Sequence, residues 1–242
     1  MISALLLLLK GAKFGKVALT AGTMLLSVVV YSFIFGWAYA AGFVLLILFH
    51  EMGHYIAARR RGLDVGAPTF IPFVGAWIQL KQMPHDAETE AYVGIAGPIA
   101  GPIAGTVAAL ACYYAARETG SGLLLALAYA GFMINLFNLI PMSPLDGGRI
   151  TAVISPRIWL FGVPVLVVLF FLHPSPMYLL IAILAWPKLR QAWNGTPQEN
   201  AAYYDVPAQV RINYGICYLG LVAFLGAMTY SLHQSLVQAY GR

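Results

Sequence analysis

Charge is what this sequence has least of. Asp and Glu number 9 and Lys and Arg 14 among 242 residues, so only 10% of side chains are charged, while 60% are hydrophobic and the mean hydropathy is +0.77. That excludes a solvated globular surface and points to an integral membrane protein. Cysteine is also scarce. Cys112 and Cys217 stand in different apolar runs with no CxxC or Cys/His spacing, which excludes a disulfide framework and a cysteine-built metal site. Neither a tandem repeat nor a low-complexity tract occurs, so solenoid and linker readings fall away. The basic residues sit in short loops rather than along one polar face, so the pI near 9.2 carries no nucleic-acid partner. A cleaved signal peptide would be followed by a polar mature domain, whereas here apolar segments recur throughout.

Those segments lie near 17–35, 37–58, 91–116, 122–140, 158–172, 176–187 and 212–233. The expected fold is an all-α polytopic membrane protein with about six to seven transmembrane helices, forming one integral-membrane domain over 1–242. The fifth and sixth segments are short for a helix that needs roughly 17–25 residues to cross, and read as a tilted or partly inserted hairpin around His173-Pro174-Ser175-Pro176. With the N-terminus in the cytoplasm, Lys10, Lys13, Lys16, Arg59, Arg60, Arg61, Lys81, Arg149, Arg157, Lys188, Arg190 and Arg211 all fall on that side. Only Arg117 and Arg242 fall outside. That bias predicts a cytoplasmic N-terminus and a cytoplasmic opening for any site near Arg59–Arg61, and the expected location is the cell membrane of a prokaryote.

The connection 62–90 contains Thr69-Phe70-Ile71-Pro72-Phe73-Val74-Gly75-Ala76-Trp77-Ile78-Gln79-Leu80, aromatic and β-branched with a Pro and a Gly. It reads as a small membrane-associated β element after the second helix, with an apolar loop on the membrane surface as the competing reading. Gly97, Gly101 and Gly105 recur every four residues, a spacing that suits close helix packing more than chemistry.

One stretch runs against the apolar grain. In Phe49-His50-Glu51-Met52-Gly53-His54, three titratable groups end the uncharged run 38–49. A helix advances about 100° per residue, so His50 and His54 lie roughly 40° apart and one turn along, the geometry for two imidazoles on one metal. Glu51 projects beside them, placed to handle a proton rather than to ligate. Catalytic zinc usually takes three protein ligands and keeps one position open, so another donor is needed at the same depth. His85, Asp86, Glu88 and Glu90 belong to the polar approach to the third segment, and His173 and His233 fall at the opposite side. Asp146 follows a descending helix broken by Pro141 and Pro144, and so arrives at the level of His50. A carboxylate so close to an apolar span calls for a cation.

HEMGH at 50–54 together with Asn138-Leu139-Ile140-Pro141-Met142-Ser143-Pro144-Leu145-Asp146-Gly147-Gly148-Arg149 resembles the site-2 protease family of intramembrane zinc metalloproteases. The resemblance covers about residues 36–150, leaving 157–233 as C-terminal helical segments. It implies one zinc ion per chain held by His50, His54 and Asp146, Glu51 as catalytic base, and Asn138 as a substrate-binding residue. It further implies a membrane-embedded β element beside the cleft, and a single-span transmembrane protein in the lipid bilayer as substrate, cut by regulated intramembrane proteolysis. The PDZ and nucleotide-sensing domains of many relatives do not fit the loops here, so a minimal form is expected. Two other readings stay open: a membrane zinc hydrolase of a small or lipidic substrate, and a non-cleaving relative that binds membrane helices.

Overall fold

The computed structural model describes residues 2–79, 81–99, 105–195 and 201–240. Its long helices are α1 (Ile2–Phe35), α2 (Trp37–Arg60), α5 (Gly122–Asn138), α8 (Pro176–Asn194) and α9 (Ala208–Tyr240). Shorter ones are α3 (Ala87–Ile99), α4 (Gly105–Thr119), α6 (Asp146–Ile154) and α7 (Gly162–Leu172), with 3-10 turns at Pro156–Phe161 and Ala202–Tyr204. The chain is thus a helical membrane protein. Among the described residues, Val17–Phe35, Trp37–Arg60 and Ala208–Tyr240 are long and apolar enough to cross a bilayer, and Gly122–Asn138 and Pro156–Leu172 are shorter apolar helices. Gly36, at φ +81°, gives the reversal between α1 and α2 a backbone conformation that side-chain-bearing residues rarely adopt.

Of the apolar run 91–116, expected as one crossing, the described residues form α3 up to Ile99 and α4 from Gly105, and residues 100–104 lie outside the described residues. Pro98 stands inside α3 close to its end, where it cannot donate to the helix ladder. Gly101 of the glycine repeat lies outside the described residues. The short hairpin after Pro156 is present as α7 and α8. With 11 residues, α7 is about 16 Å long, well short of a hydrocarbon core of roughly 30 Å.

Strands β1 (Thr69–Ile71) and β2 (Gly75–Trp77) pair antiparallel, with Phe70 opposite Ala76. The hairpin lies along α1. Thr20 Oγ1 donates to the Pro68 carbonyl at 2.7 Å, the Phe70 amide donates to Thr23 Oγ1 at 3.2 Å, and the Phe73 amide donates to Tyr31 Oη at 2.8 Å. These contacts spread from Thr20 to Tyr31, about 16 Å of helix, so the hairpin runs beside the apolar segment Val17–Phe35 of α1. Phe70 is buried between the hairpin and the α1–α2 pair. Its amide being turned to α1, the outer edge of β1 is covered, and the main-chain groups of Ala76 face the opposite edge.

The main core gathers Phe132 and Leu139 from α5 and the turn after it, Ile150 from α6, and Leu221, Leu225 and Leu232 from α9. It packs both α5 and α6 against α9, and α5 lies against α2 as well.

Candidate metal centre

Helix α2 carries His50 and His54 inward at 3% and 6% exposure, with Glu51 at 9%. Close approach of α3 to this face depends on two glycines. A Cβ on Gly53 would meet the Ala96 carbonyl oxygen, and a Cβ on Gly97 would overlap the ring atoms of His54 and approach His50. Gly97 therefore makes room for the imidazoles themselves, a role beyond the helix packing expected of it.

Asp146 comes from the first turn of α6, and the residues around it hold it there. The turn 139–145 folds back over α6 so tightly that a Cβ on Gly147 would strike the Leu139 and Ile140 carbonyls, and one on Gly148 would meet Met142 and Ser143. Tyr218 of α9 donates to the Leu139 carbonyl at 2.6 Å, and Trp159 Nε1 donates to the Gly148 carbonyl at 2.8 Å. These bonds tie both sides of the turn to the core.

The three donors converge on one point. Asp146 Oδ2 lies 3.0 Å from His50 Nε2 and 3.0 Å from His54 Nε2, and the two Nε2 atoms are 3.1 Å apart. Ligands about 2.0–2.1 Å from a tetrahedral zinc sit roughly 3.3 Å from one another, so this triangle is one face of such a site, drawn slightly tight. The other nitrogen of each ring is occupied: His50 Nδ1 meets Asn135 Oδ1 at 2.8 Å, and His54 Nδ1 meets the Val93 carbonyl at 2.7 Å. Both acceptors require Nδ1–H and so leave Nε2 to the metal. Two imidazole lone pairs and a carboxylate facing each other in a buried pocket repel unless a cation or protons lie between them. Glu51 belongs to the same cluster, its carboxylate within 4.8 Å of the histidine donor atoms. It makes no hydrogen bond among the described residues. Arg149, one turn along α6, holds its guanidinium 4.0 Å from Asp146 Oδ1 at the more open side.

The structure therefore brings together four of the five residues singled out in the sequence. The fifth, Asn138, ends α5; its Nδ2 donates to the Ile134 carbonyl at 3.1 Å, and it does not touch the histidine and aspartate donors. The asparagine that bonds one of these rings, at His50 Nδ1, is Asn135, one turn earlier and 1% exposed. A polar amide in a helix as apolar as α5 is the signal that would have found it.

Residues 38–119 match the profile of peptidase family M50. A zinc metalloprotease of Methanocaldococcus jannaschii is 32% identical over 123 residues, which are 49% of this chain and 35% of that protein. A probable chloroplastic zinc metalloprotease of Arabidopsis thaliana is 36% identical over 64 residues, 24% of this chain and 12% of that protein. The chain thus matches about a third or less of either curated relative's length. Among solved structures, a site-2 protease from Methanocaldococcus jannaschii aligns with a TM-score of 0.45 at 20% identity, over 76% of this chain and 87% of that one.

Proposed function

We propose, on the premise that the segment 38–119 belongs to peptidase family M50, that this chain is an intramembrane zinc endopeptidase whose ligands are His50, His54 and Asp146 and whose base is Glu51. The observation that carries the reading is the triangle of Nε2, Nε2 and Oδ2 with a carboxylate beside it that has no hydrogen-bond partner among the described residues. Zinc bound there supplies a Lewis acid that acidifies water and polarises a carbonyl. Glu51 takes the proton from the attacking water and returns it to the leaving amine nitrogen. The carbonyl oxygen of Asn138, without a hydrogen bond among the described residues, is available to orient the main chain of a substrate.

Two features of the surroundings support a membrane-protein substrate. A transmembrane helix has its carbonyls engaged in its own hydrogen bonds, so it must unwind locally before one can be attacked. The outward N–H and C=O of Ala76 in β2, without a hydrogen bond among the described residues, can bind an unwound segment as an added strand. Regulated cleavage of a single-span membrane protein is the role this arrangement suits.

The test is purified protein incubated with single-span substrates, with and without a chelator, and the cut located by mass spectrometry. Chelator-sensitive cleavage within or next to the span is expected. Gly or Pro near the cut should speed it, and Leu- or Ala-rich replacements should slow it. Cleavage indifferent to substrate helicity would favour the hydrolase of small substrates, and binding without cleavage the non-cutting relative.

A further inference from the structure

We infer that Asn135 is the positioning residue of His50, setting which ring nitrogen is offered to the metal and how the ring is turned. This rests on the metal-centre reading above. The argument begins with the two ends of the amide. Asn135 Nδ2 donates to the Gly131 carbonyl at 2.7 Å, and Oδ1 lies 2.8 Å from His50 Nδ1. Reversing the amide would set its oxygen against the Gly131 oxygen, two acceptors at hydrogen-bond distance, so the helix carbonyl fixes which end faces the ring. An amide oxygen only accepts. His50 Nδ1 must therefore carry hydrogen, and the Nε2 lone pair is left pointing at Asp146 and His54.

The two histidines differ in who does this. His54 is held by the main-chain carbonyl of Val93, which any residue at that position would provide. His50 depends on one side chain from another helix. Gly131 sets the packing at this level: a Cβ there would press on Ala109 of α4, while it would reach Leu46 of α2 only at ordinary contact distance. Packing alone does not call for an amide at a position 1% exposed, where Leu has nearly the same shape and no polar atoms to satisfy.

Zinc affinity tests this without reference to proteolysis. Competition against a chromophoric chelator should show Asn135→Leu binding zinc about 10- to 100-fold more weakly than wild type. Asn135→Asp keeps an oxygen facing Nδ1 and should recover most of the affinity. Nitrogen-15 spectra of the zinc-loaded protein add a reading that packing would not move. His50 Nδ1 should carry a slowly exchanging proton in wild type and Asn135→Asp, and a fast-exchanging one in Asn135→Leu. Unchanged affinity in Asn135→Leu overturns the inference while leaving the metal centre standing, and so does equal weakening in both variants with the Nδ1 proton still protected. Should Asn135→Leu fail to fold, the wild-type spectrum decides alone: a proton on Nε2 instead of Nδ1 overturns it. A wild type that binds no zinc overturns the metal centre and this inference together.

Discussion

At the scale of single residues, the centre is a set of donors whose alternatives have been closed off. Each imidazole has its Nδ1 engaged, the aspartate turns one oxygen to both rings, and the glutamate is left unbonded among the described residues. Gly97 belongs to this set, because any side chain there enters the space of the rings. Gly97→Ala should cost about 1–3 kcal/mol in overpacking, relieved by displacing an imidazole, so the purified variant should hold less than stoichiometric zinc by elemental analysis. Full zinc content in that variant would show that α3 can move away without disturbing the rings. His50, Glu51, His54 and Asp146 were legible in the sequence because helical spacing and rare charge mark them without knowledge of the neighbouring helices. Asn135, Gly97 and the Val93 carbonyl were not, since each acts across an interhelical contact that no spacing along one helix encodes.

At the scale of elements, the hairpin is held to α1 by a polar stripe. Thr20, Thr23, Ser27 and Tyr31 recur at helical spacing along an apolar helix, and three of the four bond to residues 68–73. Ser27 Oγ, at the same face, is buried without a hydrogen-bond partner among the described residues. Tyr31 also packs edge-on against Phe43 and Phe73 at 5.2 and 5.3 Å, fixing the hairpin tip, where Phe73 takes a positive φ of 65°. Thr23→Val should leave the Phe70 amide without its acceptor, a loss of roughly 1–3 kcal/mol if no water replaces it. Hydrogen exchange of a peptide spanning 68–77 should be faster in that variant, and unaltered protection would show that the strand pairing suffices. The strands were legible from β-branched and aromatic residues, but not which edge is bonded to α1. That is decided by the hydroxyls of α1, far away in the chain.

At the scale of the whole molecule, one end gathers most of the charge. Arg61 pairs with Glu88 at 3.6 Å and covers the Tyr92 ring, and Tyr203 donates to Glu90 at 2.6 Å. Burial, with the Glu90 carboxylate beside it, holds the Tyr203 phenol above its usual range and keeps it a donor. Arg211 closes the same end by donating to the carbonyls of Ile154, Tyr204 and Val206. Gly122 lies against Tyr240, joining the α4–α5 turn to the far end of α9. The proposed orientation puts the charged end in the cytoplasm. Single cysteines at Arg61, Gly120 and Asn194, in a background without Cys112 and Cys217, should show only position 120 labelled by an impermeant thiol reagent on intact cells. Labelling at 61 would reverse the orientation. The central claim, metal-dependent peptide hydrolysis with Glu51 as base, is tested most directly by measuring zinc content and cleavage together in Glu51→Gln. Gln keeps nearly the same volume and can hydrogen-bond water but cannot take up its proton. Stoichiometric zinc with cleavage slowed about a hundredfold to ten-thousandfold is the result expected, and normal cleavage by the zinc-loaded variant would contradict it.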